Sequence, residues 1–113
     1  MSSDTLRAYF SSFESKDLNG TVAFLSERVH LTDWTGDYVG KQSVSKYMLS
    51  VFHSAPSLGI SVTDIFSVDD FWICFLVVRA GASSTRVIDV VKFDMNGFIE
   101  SVQAFRGTEF DAT

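Results

Sequence analysis

Apolar residues recur at helical spacing in the first half of the chain and at alternate positions in the second. Leu6, Tyr9, Phe10 and Phe13 follow i, i+3, i+4, i+7, which predicts a first helix with Ser3 as N-cap and Asp4 in its first turn. Asp17 is expected to cap a second, shorter helix to about residue 26 that presents Leu18, Val22 and Leu25. A strand is predicted at about 29–34, then a loop over 35–40. Val44, Tyr47, Met48, Val51 and Phe52 restore the helical period from near Lys41, and this third helix must stop before Pro56. Beyond Pro56 the period falls to two. Strands are expected at about 59–68, 71–80, 84–95 and 98–107. Asp69-Asp70 and Gly81-Ala82-Ser83 mark two turns, and Asn96-Gly97 between apolar runs is the strongest hairpin signal in the chain.

Three helices followed by a meander of long strands indicate an α+β fold in which one sheet face holds the helices. The run Trp72-Ile73-Cys74-Phe75-Leu76-Val77-Val78 is apolar on both parities, and Ile88 and Val90 extend the outer side. Such a strand needs cover on both faces. A homodimer packed through the sheet is therefore expected. At 113 residues, with no internal repeat or linker, one domain over 1–113 is expected.

Composition narrows the partners. The formal net charge is -5 and there is no Lys/Arg cluster, which argues against nucleic acid and anionic membrane as partners. The longest apolar run, residues 71–78, is too short to span a bilayer. Residues 1–4 show no basic or apolar leader character, so no signal peptide is expected. The lone Cys74 allows no intrachain disulfide and fits a core position in a reducing, cytoplasmic setting. Eleven phenylalanines are many for this length; they can fill a core or line a cavity for a flat apolar ligand.

Two acids fall on apolar strand faces. Asp33 shares alternation parity with Val29 and Leu31; Asp89 shares it with Val87, Val91 and Phe93. Burial of an unpaired carboxylate is costly, which makes these the leading functional candidates. If both line one cavity, the one with donors stays charged and can take a proton. The one walled by valine and phenylalanine stays protonated and donates a hydrogen bond. Tyr9, on the apolar helix face, supplies a second neutral donor. A neutral acid and a tyrosine hydroxyl converging on one point form an oxyanion hole.

The stretch from Tyr9 through Lys16-Asp17-Leu18-Asn19-Gly20-Thr21-Val22-Ala23-Phe24-Leu25 to Val29-His30-Leu31-Thr32-Asp33-Trp34-Thr35-Gly36 resembles the opening of the bacterial ketosteroid isomerases, members of the nuclear transport factor 2-like superfamily. Val87-Ile88-Asp89-Val90-Val91-Lys92-Phe93-Asp94 and Gly97-Phe98-Ile99-Glu100-Ser101-Val102 resemble their last two strands. The resemblance implies a cone-shaped, curved antiparallel or mixed sheet with helices on its concave side. It implies that Asp33 is the general base, and that Tyr9 and Asp89 hold the dienolate oxygen. It also implies an apolar, carbonyl-bearing substrate and no metal or organic cofactor. Trp34 stands where the isomerases usually have proline. Their helix-three tyrosine, which supports the oxyanion-hole tyrosine, falls on Met48; Tyr47 lies about 100° further round the helix and does not simply replace it.

Each candidate has a structural alternative. Asp33 could satisfy loop amides, as in SnoaL-type relatives; Asp89 could pair with Arg or Lys; Tyr9 could be plain core. A non-catalytic ligand-binding or association domain, or a cyclase or dehydratase, is open on the same fold. Trp34, Phe52, Phe66, Trp72 and Phe105 are candidate walls of a substrate pocket, with core packing as the alternative for each. His30 has the opposite parity to Asp33. His53 is expected in the last turn of helix three, where its role is structural. Asp94 is expected to serve a turn.

Overall fold

The computed structural model describes residues 2–111. Helices α1 (Ser3–Glu14) and α2 (Leu18–Val22) lead into β1 (Leu25–Asp33) and β2 (Gly36–Val39). Helix α3 (Lys41–Ser54) follows, then β3 (Gly59–Val68), β4 (Phe71–Ala80), β5 (Ser83–Phe93) and β6 (Ile99–Asp111). The six strands form one curved sheet in the order β2-β1-β6-β5-β4-β3. The α+β architecture, with helices against one sheet face, is as the sequence predicts. Neighbouring strands run antiparallel except β1 and β6, which pair in parallel. That pairing seats the end of β1 beside the middle of the β5–β6 ladder.

Local chemistry explains the element ends. Ser2, not Ser3, caps α1 by accepting from the Thr5 amide. Asp17 caps α2, taking the Gly20 amide at 2.9 Å. This helix ends at Val22, short of the expected residue 26, because the chain is captured by β6. The Ile99 amide donates to the Phe24 carbonyl at 2.8 Å, and Leu25 pairs with Ile99. Residues 36–39 are strand β2, not part of a loop. Asp33 pairs with Gly36 across a two-residue connection, closed when the Asp33 side chain accepts the Thr35 amide at 2.7 Å. Such an Asx turn needs no Asn-Gly signature. The Asn96-Gly97 hairpin forms, with Gly97 at φ +86° and the Asp94 carboxylate holding the Asn96 and Phe98 amides, both at 2.9 Å.

Register shifts interrupt β1, β3, β5 and β6, and such bulges bend a sheet. The concave face receives the helices. Its core joins Leu6, Tyr9 and Phe10 of α1, Val44, Met48 and Phe52 of α3, and Val29, Cys74, Val87, Val91 and Val102 of the sheet. Glu14 pins the end of α1 to β3 by accepting the Ile60 amide at 2.6 Å. The convex face carries Phe66, Val68, Phe71 and Phe105, each about half exposed. Among the described residues no helix is long and apolar enough to cross a membrane.

Gly40 sets the entry angle of α3, at φ +91° and ψ +150° with its amide donating to Val29 at 2.7 Å. An L residue rarely adopts that conformation, although a Cβ there would meet nothing within 4 Å. Gly40→Ala is therefore expected to lower stability by about 1–3 kcal/mol through backbone strain alone, measured by urea denaturation.

Candidate active site

Alternation along β1 and β5 sends both acids to the concave face, where Asp33 and Asp89 line one apolar cavity together with Tyr9. The cavity measures about 150 Å³. Phe10 and Phe13 of α1, Met48 and Val51 of α3, and Leu76, Val87 and Val102 of the sheet supply much of its wall. Trp34, 47% exposed, stands at the open side. Asp89 and Tyr9 form the closed end: they are 8% and 3% exposed.

Asp89 sits mid-strand in β5, between Cys74 of β4 and Ala104 of β6. The small Ala104 leaves room on that side and itself lines the cavity. No fully enclosed side-chain nitrogen or oxygen lacks a partner among the described residues, and no hydrogen bond ties Asp89 or the Tyr9 hydroxyl to another described group. Their oxygens open onto the cavity. Burial, then the nearby Asp33 charge, pushes the Asp89 carboxyl up to about 7. Burial first, and Asp89 second, likewise hold the Tyr9 phenol firmly protonated. Both groups are therefore neutral donors below neutral pH. Tyr9 is held edge-on between Phe10 and Phe24, at centroid distances of 5.1 and 6.0 Å.

Asp33 has the opposite surroundings. Its Oδ1 accepts the Thr35 amide at 2.7 Å and the Thr35 hydroxyl at 2.5 Å, and its Oδ2 accepts the Tyr47 hydroxyl. The Thr35 hydroxyl proton is thus committed to Asp33, so at 2.9 Å Tyr38 donates to Thr35. The Tyr38 and Tyr47 rings stack at 4.1 Å and 14°. Burial, with Asp33 second, pushes the Tyr47 phenol up to about 12, so it remains a donor. The two acids are thus sorted, one dressed with donors and one bare.

Tyr47, Thr35 and Tyr38 escaped the sequence reading. Tyr47 lies on the apolar stripe of α3, offset from Met48 as the sequence predicts. It does not support Tyr9; it reaches Asp33, which the turn into β2 folds toward α3. Of the five aromatics expected to wall a pocket, Trp34 lines the cavity, with Arg106 5.2 Å above its ring. The other four do not. Phe52 is core, packed edge-on against Phe13 at 5.0 Å. Trp72 packs partly buried against the core away from the cavity. Phe66 and Phe105 lie on the convex face, because β3 shifts register between Val62 and Asp64 and Phe105 pairs with the outward Ile88. His30 points outward to Asp37 at 3.4 Å.

The raised Asp89 pKa links stability to pH. The unfolded carboxyl ionises near 3.8 and the folded one near 7, so folding becomes less favourable as pH rises between them. The penalty reaches on the order of 4 kcal/mol above pH 7. Asp89→Asn should be more stable than the parent at pH 7.5, and that advantage should vanish below about pH 4, as thermal melts across pH would reveal.

A SnoaL-like domain family model matches residues 6–102. No curated protein matches the chain by sequence. Among solved structures, a SnoaL-like protein of unknown function from Burkholderia thailandensis superposes with TM-score 0.86 at 13% identity, covering 94% of each chain. A proposed ketosteroid isomerase from Kribbella flavida gives 0.80 at 13% identity, over 97% of this chain and 80% of that one. A cystatin-fold protein from Novosphingobium aromaticivorans gives 0.80 at 16% identity, over 89% and 94%. These likenesses show the fold. With the family model spanning most of its length, the chain belongs to the SnoaL-like domain family.

Proposed function

We propose that this protein is an acid–base enzyme acting on an apolar, carbonyl-bearing small molecule. The observation that carries this reading is the sorting of the two acids within one apolar cavity. The carbonyl oxygen sits between the Tyr9 hydroxyl and the protonated Asp89. Asp33 takes a proton from the carbon beside the carbonyl, and the C–H electron pair moves onto the oxygen as an enolate. The two neutral donors stabilise that oxygen, in an environment where water competes little. The same proton, returned to a more distant carbon, gives an isomerised enone with no net change in protons. Cyclisation or dehydration draws on the same groups, and product analysis separates them. A family resemblance to the isomerases supports the assignment of roles; two of the neighbouring solved structures carry the description of proposed isomerases.

A non-catalytic reading has one observation in its favour: three donors already engage Asp33. A carboxylate has about four acceptor positions, so one remains for a substrate proton. Asp33→Asn separates the readings. It should lower turnover by roughly 10²–10⁴, and Tyr9→Phe by about 10²–10³, in assays over a panel of enones. Near-normal rates in both would refute proton transfer by these groups. Turnover should also fall as pH rises past about 7, where Asp89 loses its proton. Asp89→Asn, whose amide still donates, should flatten that limb.

The convex face favours a homodimer. Phe66, Val68, Phe71 and Phe105 are exposed there beside half-buried Ile73, Phe75, Ile88 and Val90. Opposed copies would cover this patch symmetrically. Phe105→Lys should shift the sedimenting species from dimer toward monomer; a parent already monomeric at high micromolar concentration would dismiss the pairing.

A further inference from the structure

The cavity limits its ligand more sharply than its chemistry does. At about 150 Å³ it falls below the ~300–1,000 Å³ common for larger organic ligands, and matches a cavity that takes one benzene ring. We propose that the substrate is a small carbonyl compound of about one ring, not a fused polycycle; this rests on the proton-transfer reading above and specifies its substrate class. Three observations support the limit. Met48, 1% exposed, and Leu76, 4% exposed, stand as solid wall beside the catalytic groups. Phe13 is buttressed by Phe52, and Tyr9 is wedged by Phe10 and Phe24, so neither ring can swing aside without displacing another. At the open side, Trp34 lies under Arg106, which braces the rim. A ring with its oxygen on Tyr9 and Asp89 fills the interior, and only a slim substituent can continue past Trp34.

Phenols mimic the enolate and test size and chemistry separately. Binding of phenol, a rigid four-ring phenol and toluene would be measured calorimetrically near pH 6, where Asp89 holds its proton. Phenol should bind about tenfold or more tighter than toluene, and the four-ring phenol about tenfold or more weaker than phenol. Leu58→Ala and Val51→Ala each shorten a cavity-lining side chain at a half-buried position. At least one should improve 2-naphthol binding relative to phenol. Equal or tighter binding of the four-ring phenol overturns the size limit and leaves proton transfer standing. Toluene binding as well as phenol, with the size order intact, removes the oxyanion hole but keeps the limit. No binding by any ring, or an unchanged naphthol ratio in both variants, overturns the proposal.

Discussion

Two carboxylates facing one small apolar hollow cannot both be charged cheaply, and the organisation of this site follows from that constraint. The fold resolves it by unequal solvation. Asp33 receives an amide and two hydroxyls at the more open end. Asp89, at the closed end, receives no hydrogen bond from the described residues and keeps its proton to about neutrality. The negative charge on the first acid helps to hold the proton on the second. Burial and the Asp33 charge together keep the proton on Asp89.

The parallel pairing of β1 with β6 makes this encounter possible. It places a carboxylate from the start of the chain against a ladder formed near its end. Helices α1 and α3 then close the concave side with bulky apolar residues, and contribute Tyr9 and Tyr47 from two directions. The result is a cavity whose polar groups come from elements far apart in sequence. Its walls are also the core, so stability and binding volume are drawn from the same side chains.

Strong periodicity was legible in the chain. Helices α1 and α3, strands β3 to β6 and the inward aim of both acids all followed from the spacing of apolar residues. Elements held by tertiary contacts were less legible. Strand β2 hid because its turn is closed by the Asp33 side chain, and α2 ended early because β6 claims the following backbone. Phe66 and Phe105 were misplaced because strand register decides which face an aromatic meets, and a bulge resets that count. Tyr47 was missed because a hydroxyl reaching across elements leaves no periodic signature of its own.

Strand β5 serves two surfaces at once. Val87, Asp89 and Val91 face inward, while Ile88 and Val90, interleaved with them, face the opposite way. The backbone that aims the proton-holding acid is thus also the floor of the greasy exterior. Side chains on the two faces are therefore anchored to the same stretch of backbone. Residues whose side chains never approach the hollow are in this way mechanically one bond removed from its chemistry.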